Sequence, residues 1–403
     1  MAVSTPLISI QQAREQVLQA IRPLPSEPVG IDQALGRVLA QDVTAAGDVP
    51  PFPCSAMDGY AIHAGPDRQR LRVVGESRAG GPSEHPLAPG EAIRISTGAA
   101  VPLGATAVIA QENVTADADA IETHSPTSEG QNIRGVGEDM RQGTAVLAAG
   151  DKLGAVELGA ATAAGAGSLL VAQQPRVSVL CTGDELRAPG EPLQPGEIHN
   201  SNAPMLTGLA VGEGALTSPA ERLPDDRAAT VNGIQKALER SDVVIISGGV
   251  SVGPHDHVKP ALSALGVQEI FWSVALQPGK PTWFGSRDGG RYVFGLPGNP
   301  VSAVVTYSLF VSPALSALQG ARPRRKLEAQ ATLGTPVRRS PRREQAMRVR
   351  LEREGGQTVA LPNGAQGSHI LTSLVGADAL AMIPAGEGTL EAGATVALEE
   401  LAS

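Results

Sequence analysis

Aromatic residues and cysteines are scarce in this chain, and each scarcity excludes a class of protein. Aromatic side chains make up 2% of the 403 residues, so the core must be built from Ala, Val, Leu and Ile. Cys54 and Cys181 are the two cysteines, too few for a disulfide framework and without zinc-ligand spacing. A disulfide-rich secreted protein and a zinc-finger protein are therefore excluded.

Positive charge and long apolar runs are also in short supply. The formal net charge of −9 argues against nucleic acid or an anionic membrane as the main partner. The first residues lack the pattern of a signal peptide, and no segment approaches the apolar length of a membrane span. We therefore expect a soluble cytoplasmic protein that binds neither nucleic acid nor membrane.

Glycine and proline are abundant, with 47 and 32 residues, which indicates many short elements within two to four domains. Residues 8–20 and 31–39 predict helices, residues 55–145 short strands, and residues 153–165 an alanine-rich helix. Residues 175–320 alternate strands with helices, and short strands then continue to the C-terminus. We predict a multidomain α/β plus β protein with a parallel central sheet and a β-rich domain inserted into an elongated helical one.

The most informative stretch is residues 241–257, SDVVIISGGVSVGPHDH. Its β-branched apolar run predicts a strand buried on both faces, followed by a loop with Gly248, Gly249 and Gly253. Glycines at the end of such a strand let backbone N–H groups approach an anion, at the sheet edge where α/β proteins bind ligands. The residues alone fit a phosphate-binding loop and a tight strand-to-helix turn equally well.

Carboxylates after two predicted strands suit a divalent cation. Asp184 and Glu185 follow an apolar strand, and Mg²⁺ takes oxygen ligands. The alternative is that Asp184 or Glu185 only caps the next turn. These two residues taken alone favour that alternative. Asp256, after the glycines, fits either a metal ligand or a helix cap.

Three further features suit an anion. Residues 297–300, Pro-Gly-Asn-Pro, open a predicted helix whose N–H groups can bind anions, although a plain helix start is the commoner reading. Lys280 is stiffened by flanking prolines for phosphate or oxyanion binding, or is a solvated loop charge. Arg348 lies on the wet basic face of a predicted strand and is a candidate to close an oxyanion site. Together the residues predict a phosphorylated ligand with a divalent cation.

Nine short motifs resemble, in the same order, those of the molybdopterin molybdenumtransferase family, the MoeA or gephyrin E-domain type. Any one motif is weak evidence of a resemblance, whereas nine motifs in the same order over nearly the whole chain are specific. They are SAMDGY (55–60), TGA (97–99), GQNIR (130–134), GED (137–139), TGDEL (182–186), SGGVSVGPHD (247–256), PGKP (278–281), PGNP (297–300) and QGSH (366–369).

The resemblance implies four domains, and a homodimer whose site lies between the α/β domain of one subunit and the β-rich domain of the other. The implied reaction inserts molybdate into adenylylated molybdopterin with Mg²⁺ and releases AMP. The adenylyltransferase that supplies the pterin is a candidate partner. The implied domains are an elongated N-terminal domain (1–45 and 146–172), an inserted β-rich domain (46–145), a molybdopterin-binding-like α/β domain (173–320) and a C-terminal β-barrel (321–403).

The same resemblance implies a role for each site residue. The implied catalytic residues are Asp184, Glu185, Asp225, Asp256 and Lys280. The implied metal ligands are Asp184, Glu185, Asp242 and Asp256. The implied phosphate cradle consists of Ser247, Gly248, Gly249, Ser251 and Gly253. The residues implied to surround the pterin phosphate or molybdate are Lys280, Pro297, Pro300, Arg348 and Ser368, with Asp58, Thr97, Arg134 and Asp139 from the partner subunit.

The chain departs from the family pattern at three places. Ser273 and Gln277 stand where the family usually has lysines, and residues 198–202 read Ile-His-Asn-Ser-Asn instead of Ile-Tyr-Asp-Ser-Asn. Two lost cations would weaken anion binding by roughly a few kcal/mol if they were buried and paired. The alternatives are a non-catalytic scaffold and a divergent paralogue with weak or tungstate-dependent activity. An adenylyltransferase acting one step earlier is disfavoured by the additional domains.

Overall fold

The structure is a computed structural model that describes residues 7–250, 257–322 and 330–402. The first helix, Ile10–Ala20, begins at Ser9, whose hydroxyl accepts the N–H of Gln12 while the Gln12 side chain accepts the N–H of Ser9. This capping box fixes the helix start. The helix predicted over residues 31–39 is wrong, since only a 3-10 turn forms at Ile31–Gln33 and Gly36 then reverses the chain with a φ of 77°.

A small hydrophobic core joins residues from either side of the chain's β-rich segment. Leu39 and Val43 pack with Leu153, Ala161 and Val171. Two distant parts of the sequence therefore form one folding unit. Its elements are the strand pairs Ser26–Gly30 with Ser168–Ala172 and Val43–Thr44 with Ala145–Leu147, and the helix Ala155–Ala163.

The segment between those parts forms a six-stranded sheet, here named the inserted sheet. Apolar residues cover both of its faces, with Ile93 and Val108 in one core and Ile62 and Ile109 in the other. A short strand pair, Cys54–Ser55 with Ile133–Arg134, lies beside it. The strands, in spatial order, are Ala107–Ala110, Gly59–Ile62, Glu91–Ile95, Arg70–Ser77, Ala120–Thr123 and Val114–Ala116.

The central sheet lies in the α/β region, and its middle strand, Val243–Ser247, is buried at every position as the sequence predicts. The predicted parallel sheet is in fact mixed, because the strand Trp283–Arg287 runs antiparallel to both of its neighbours. In spatial order the strands are Leu216–Thr217, Arg176–Thr182, Val243–Ser247 and Arg291–Leu296, which are parallel, then Trp283–Arg287 and Gln268–Trp272. A seventh strand, Glu221–Leu223, also pairs with Arg176–Thr182.

Helices cover both faces of the central sheet. The stretch Pro300–Leu318 is helical throughout, and its length of 19 residues and mean hydropathy of 1.6 would allow a membrane span. This corrects the expectation that no segment approaches one. However, 72% of that helix is buried in the protein, as in the core helix of a globular domain. The other helices are Asn202–Gly212, Arg227–Arg240 and Val258–Ala264.

Five strands near the C-terminus form a closed barrel, which confirms the predicted C-terminal β-barrel. The long strand Glu344–Glu354 pairs with a neighbour on each side and closes the ring. The strand Leu276–Gln277 of the central region adds to its start, which ties the barrel to the α/β region. Around the ring the strands are Glu344–Glu354, Gln357–Pro362, Gln330–Leu333, Thr395–Glu400 and Ala379–Ile383.

Candidate functional site

Three loops at the carboxyl edge of the central sheet enclose a cavity of about 420 Å³. We name them the carboxylate loop (residues 183–187), the glycine loop (residues 247–250) and the proline turn (residues 297–300). Each follows one of three adjacent parallel strands, so the sheet itself brings them together. The cavity-lining residues include Thr182, Glu185, Asn200, Asn202, Ser247, Gly248, Gly249, Pro281, Pro297, Asn299 and Pro300.

The glycine loop needs its glycines for conformation and for space. Gly248 and Gly249 have φ angles of 88° and 65°, which side-chain-bearing residues rarely adopt. A Cβ atom on Gly248 would lie 2.7 Å from the hydroxyl of Thr182. The indole N–H of Trp272 donates to the carbonyl of Val250 at 3.2 Å and holds the loop from outside. Ser251, Gly253 and Asp256 lie outside the described residues, so their predicted roles stay predictions.

Gly248→Ala is expected to destabilise the protein by about 1–3 kcal/mol, because alanine must adopt a left-handed conformation and displace Thr182. Urea unfolding measures the change. Gly298→Ala is the matched control, since a Cβ there meets its nearest atom at an ordinary 3.8 Å. Equal unfolding free energies for the two variants would contradict this account of the glycine loop.

The carboxylate loop brings together the predicted Asp184, Glu185 and Asp225. The N–H of Asp184 donates to the Asp225 carboxylate at 3.4 Å, and the N–H of Asp225 donates back to the Asp184 carboxylate at 3.3 Å. Arg187 and Arg222 donate to the carbonyl of Asp184, at 2.8 and 3.5 Å, and brace the loop. The three carboxylates are exposed, and within the described ranges no three acidic, histidine or cysteine side chains form a ready-made metal site.

Asp242 does not belong with these carboxylates, which corrects its prediction as a metal ligand. It precedes the strand Val243–Ser247, whereas the carboxylate loop follows the neighbouring parallel strand, so the two lie at opposite ends of the sheet. Asp242 is 5% exposed and pairs with Arg176 at 2.9 Å and Arg291 at 3.2 Å. Burial opposes ionisation, but the bonds and charges of the two arginines outweigh it and lower the pKa of Asp242.

Ser368 reaches the proline turn from the C-terminal region. Its hydroxyl accepts a hydrogen bond from the Asn299 side chain at 2.9 Å, and its carbonyl accepts the N–H of Val301 at 3.2 Å. Pro300 opens the helix Pro300–Thr306, and Pro297 lines the cavity. The structure therefore brings Pro297, Pro300 and Ser368 together at one side of the cavity.

Arg348 corrects a second prediction, because it is buried, whereas Arg350 on the same face of the strand is exposed. Arg348 is 1% exposed, and its guanidinium donates to the carbonyls of Ala365 and Gly367 and to the hydroxyl of Ser373, at 3.1–3.3 Å. Burial lowers the pKa of Arg348 to about 10. The loop over Arg348 buries it, and the arginine in turn holds the segment that carries Ser368.

Lys280 is next in the chain to a residue that lines the cavity and is not itself a lining residue. Its side chain is exposed, its carbonyl accepts the N–H groups of Val274 and Thr282, and the next residue, Pro281, lines the cavity. Ser273, where the family usually has lysine, is 4% exposed with a φ of 73°. Position 273 therefore faces the protein interior in this chain.

The four residues predicted to act from a partner subunit lie outside the central region. Asp58 accepts the N–H and the hydroxyl of Thr97, at 2.7 and 3.1 Å, and these bonds lower the pKa of Asp58. Arg134 and Asp139 are exposed. Of the described residues that line the 420 Å³ cavity, none is one of these four.

Asn202 is a site residue that the sequence reading missed. It is 92% buried, and its side-chain amide donates to the hydroxyl of Ser247 at 2.8 Å and to the carbonyl of Gly298 at 2.7 Å. The sequence signal for this residue is its place at the end of the Ile-His-Asn-Ser-Asn motif, just before a helix.

A larger cavity, about 640 Å³, lies at the opposite sheet edge beside Arg22, Arg176 and Asp242, away from the loops described above.

The three regions match three parts of one known architecture. Residues 8–165 match the MoeA N-terminal region (domains I and II), residues 178–317 the probable molybdopterin binding domain, and residues 330–401 the MoeA C-terminal region (domain IV). The fold and site therefore define a MoeA-type multidomain protein with a molybdopterin-binding domain.

Curated relatives narrow this class to a family of enzymes. The chain is 36% identical to the molybdopterin molybdenumtransferase of Haemophilus influenzae and 30% identical to that of Staphylococcus aureus, covering 98% and 94% of those chains. A solved molybdopterin biosynthesis MoeA protein from Pyrococcus horikoshii OT3 is 30% identical, with a TM-score of 0.81 over 98% of this chain. The chain belongs to the molybdopterin molybdenumtransferase family, which confirms the resemblance and places it in molybdenum cofactor biosynthesis.

Proposed function

We propose that this chain inserts molybdate into adenylylated molybdopterin, in a Mg²⁺-dependent reaction that releases AMP. The observation that carries the proposal is the meeting of the carboxylate loop, the glycine loop and the proline turn around one cavity. The ligand is polyanionic, and its phosphoanhydride needs cations and preorganised N–H groups more than a protein nucleophile. In the glycine loop the Gly249 N–H would serve as such a donor, because the Gly248 N–H already donates to the Leu296 carbonyl, and Lys280 would supply a cation.

Asp184, Glu185 and Asp225 fit Mg²⁺ chemically, since they are exposed carboxylates with oxygen donors at one sheet edge. With Asp256 they are our proposed metal ligands. When bound, the ion would neutralise charge that develops on the phosphate groups. Arg187 and Arg222 hold the backbone of the carboxylate loop, so the carboxylates need little reorganisation to bind it.

The proposal includes a cytoplasmic homodimer in which Asp58, Thr97, Arg134 and Asp139 act at the partner's cavity. Two observations support it: the side chains of Asp58, Arg134 and Asp139 are exposed, and the cavity of their own chain is lined by others. An adenylyltransferase would then deliver the pterin.

The test is to incubate the protein with adenylylated molybdopterin, Mg²⁺ and molybdate and to measure AMP by chromatography. We expect AMP release that requires both Mg²⁺ and molybdate. No AMP would favour a non-catalytic scaffold, the alternative that the buried Ser273 in place of a lysine mildly supports. AMP with tungstate but not with molybdate would change the substrate.

A further inference from the structure

Asn202 joins the glycine loop to the proline turn through its side-chain amide group. Its nitrogen donates to Ser247, the first residue of the glycine loop, and to Gly298, within the proline turn. Ser247 in turn donates to the carbonyl of Pro297 at 3.4 Å. The two loops also begin on paired strands, and the N–H of Gly248 donates to the carbonyl of Leu296 at 3.0 Å. The Asn202 amide therefore adds two bonds that tie the glycine loop to the proline turn beyond the pairing of their strands.

The other half of the same side chain is unsatisfied. The oxygen Oδ1 of Asn202 is buried and has no hydrogen-bond partner in the part of the chain that the structure describes. A buried acceptor without a partner is unfavourable, because it has lost its hydration without compensation. The bond to the Gly298 carbonyl requires the nitrogen at this position, so reversing the amide would not relieve it. The two donated bonds are thus what asparagine contributes at this position.

We propose that Asn202 is a positioning residue that holds the glycine loop and the proline turn at the separation the substrate's phosphate and oxyanion groups need. This inference rests on the proposed function. Asn202 acts through its bonds to Ser247 and Gly298. A misplacement of about 1 Å between such loops can reduce turnover by about 100-fold.

Asn202→Asp tests this role because its bonding depends on pH. An ionised aspartate cannot donate to the Gly298 carbonyl and repels it, whereas a protonated one has a single O–H that can replace this bond but not also the bond donated to Ser247. Burial raises the pKa of such a carboxyl group. We expect turnover about 100-fold below wild type at pH 8, with the ratio to wild type recovering as the pH falls to 5. The described titratable residues that line the cavity are Cys181, Glu185 and His199. Both proteins contain them, so their effect on the pH dependence of turnover cancels in the ratio.

Asn202→Ala is the second variant, since it loses both donated bonds at every pH and should show no recovery. Circular dichroism verifies folding, and calorimetry with AMP and Mg²⁺ gives a readout that does not need turnover. A folded Asn202→Ala protein with wild-type turnover and AMP affinity would overturn the inference, as would a flat ratio for Asn202→Asp. If wild type binds AMP but releases none from substrate, the proposed function fails while the AMP affinities of the variants still test Asn202.

Discussion

Asp184→Asn is expected to lower molybdate-dependent AMP release by about 100-fold, equivalent to about 2.7 kcal/mol of transition-state stabilisation. The change removes a negative oxygen from the carboxylate loop and keeps the size of the side chain. The amide oxygen can still accept the N–H of Asp225, so the loop keeps its conformation. Steady-state assays over a range of Mg²⁺ concentrations measure the effect, and we expect the Mg²⁺ requirement to rise.

Asp288→Asn is the matched control for this prediction. Asp288 is an exposed carboxylate of the same region, in the turn between the strands Trp283–Arg287 and Arg291–Leu296, at the sheet edge away from the carboxylate loop. Its replacement removes the same charge and should leave AMP release unchanged. Equal activities for the two variants would remove Asp184 from the site, and unfolding of the Asp184 variant would show a structural role instead.

Asp242→Ala is expected to destabilise the protein by about 3 kcal/mol without a specific effect on the site. Removing one partner of a buried ion pair costs about 3–5 kcal/mol, and the lower end applies because the Arg176 side chain is 49% exposed. The variant removes the carboxylate that accepts from Nη1 of Arg291 and from the backbone N–H of Arg176. Urea unfolding measures the loss. A change below about 0.5 kcal/mol, the scale of ordinary surface substitutions, would contradict it.

The same ion pair predicts a dependence on pH. The pKa of Asp242 is lower in the folded chain than its ordinary value near 4 in the unfolded chain. The unfolded state therefore binds the proton first, so the stabilisation is complete above about pH 4 and is lost as the pH falls through the folded pKa. The difference in unfolding free energy between wild type and Asp242→Asn should shrink below pH 4. A constant difference down to pH 2 would exclude this linkage.

The sequence by itself determined the family, the location of the glycine loop and the existence of the barrel. These depend on local features. A run of β-branched residues before glycines predicts a buried strand and its loop, and the strand Val243–Ser247 is indeed fully buried. Motifs such as PGNP and TGDEL are recognisable because their chemistry depends on residues adjacent in the chain. The same locality predicts that Asp184 and Pro297 follow strands of one sheet.

Only the tertiary structure decided how residues distant in the chain meet. Alternation predicts that Arg348 faces away from Met347, but a loop about 20 residues further on covers it and supplies its acceptors. The family resemblance implies that Asp242 is a metal ligand. The parallel register instead sets it at the start of that strand, between two arginines. The local sequence does not indicate the role of Asn202, because its side chain bonds to residues 45 and 96 positions away. Long-range pairing depends on the packing of whole elements, which local sequence patterns do not encode.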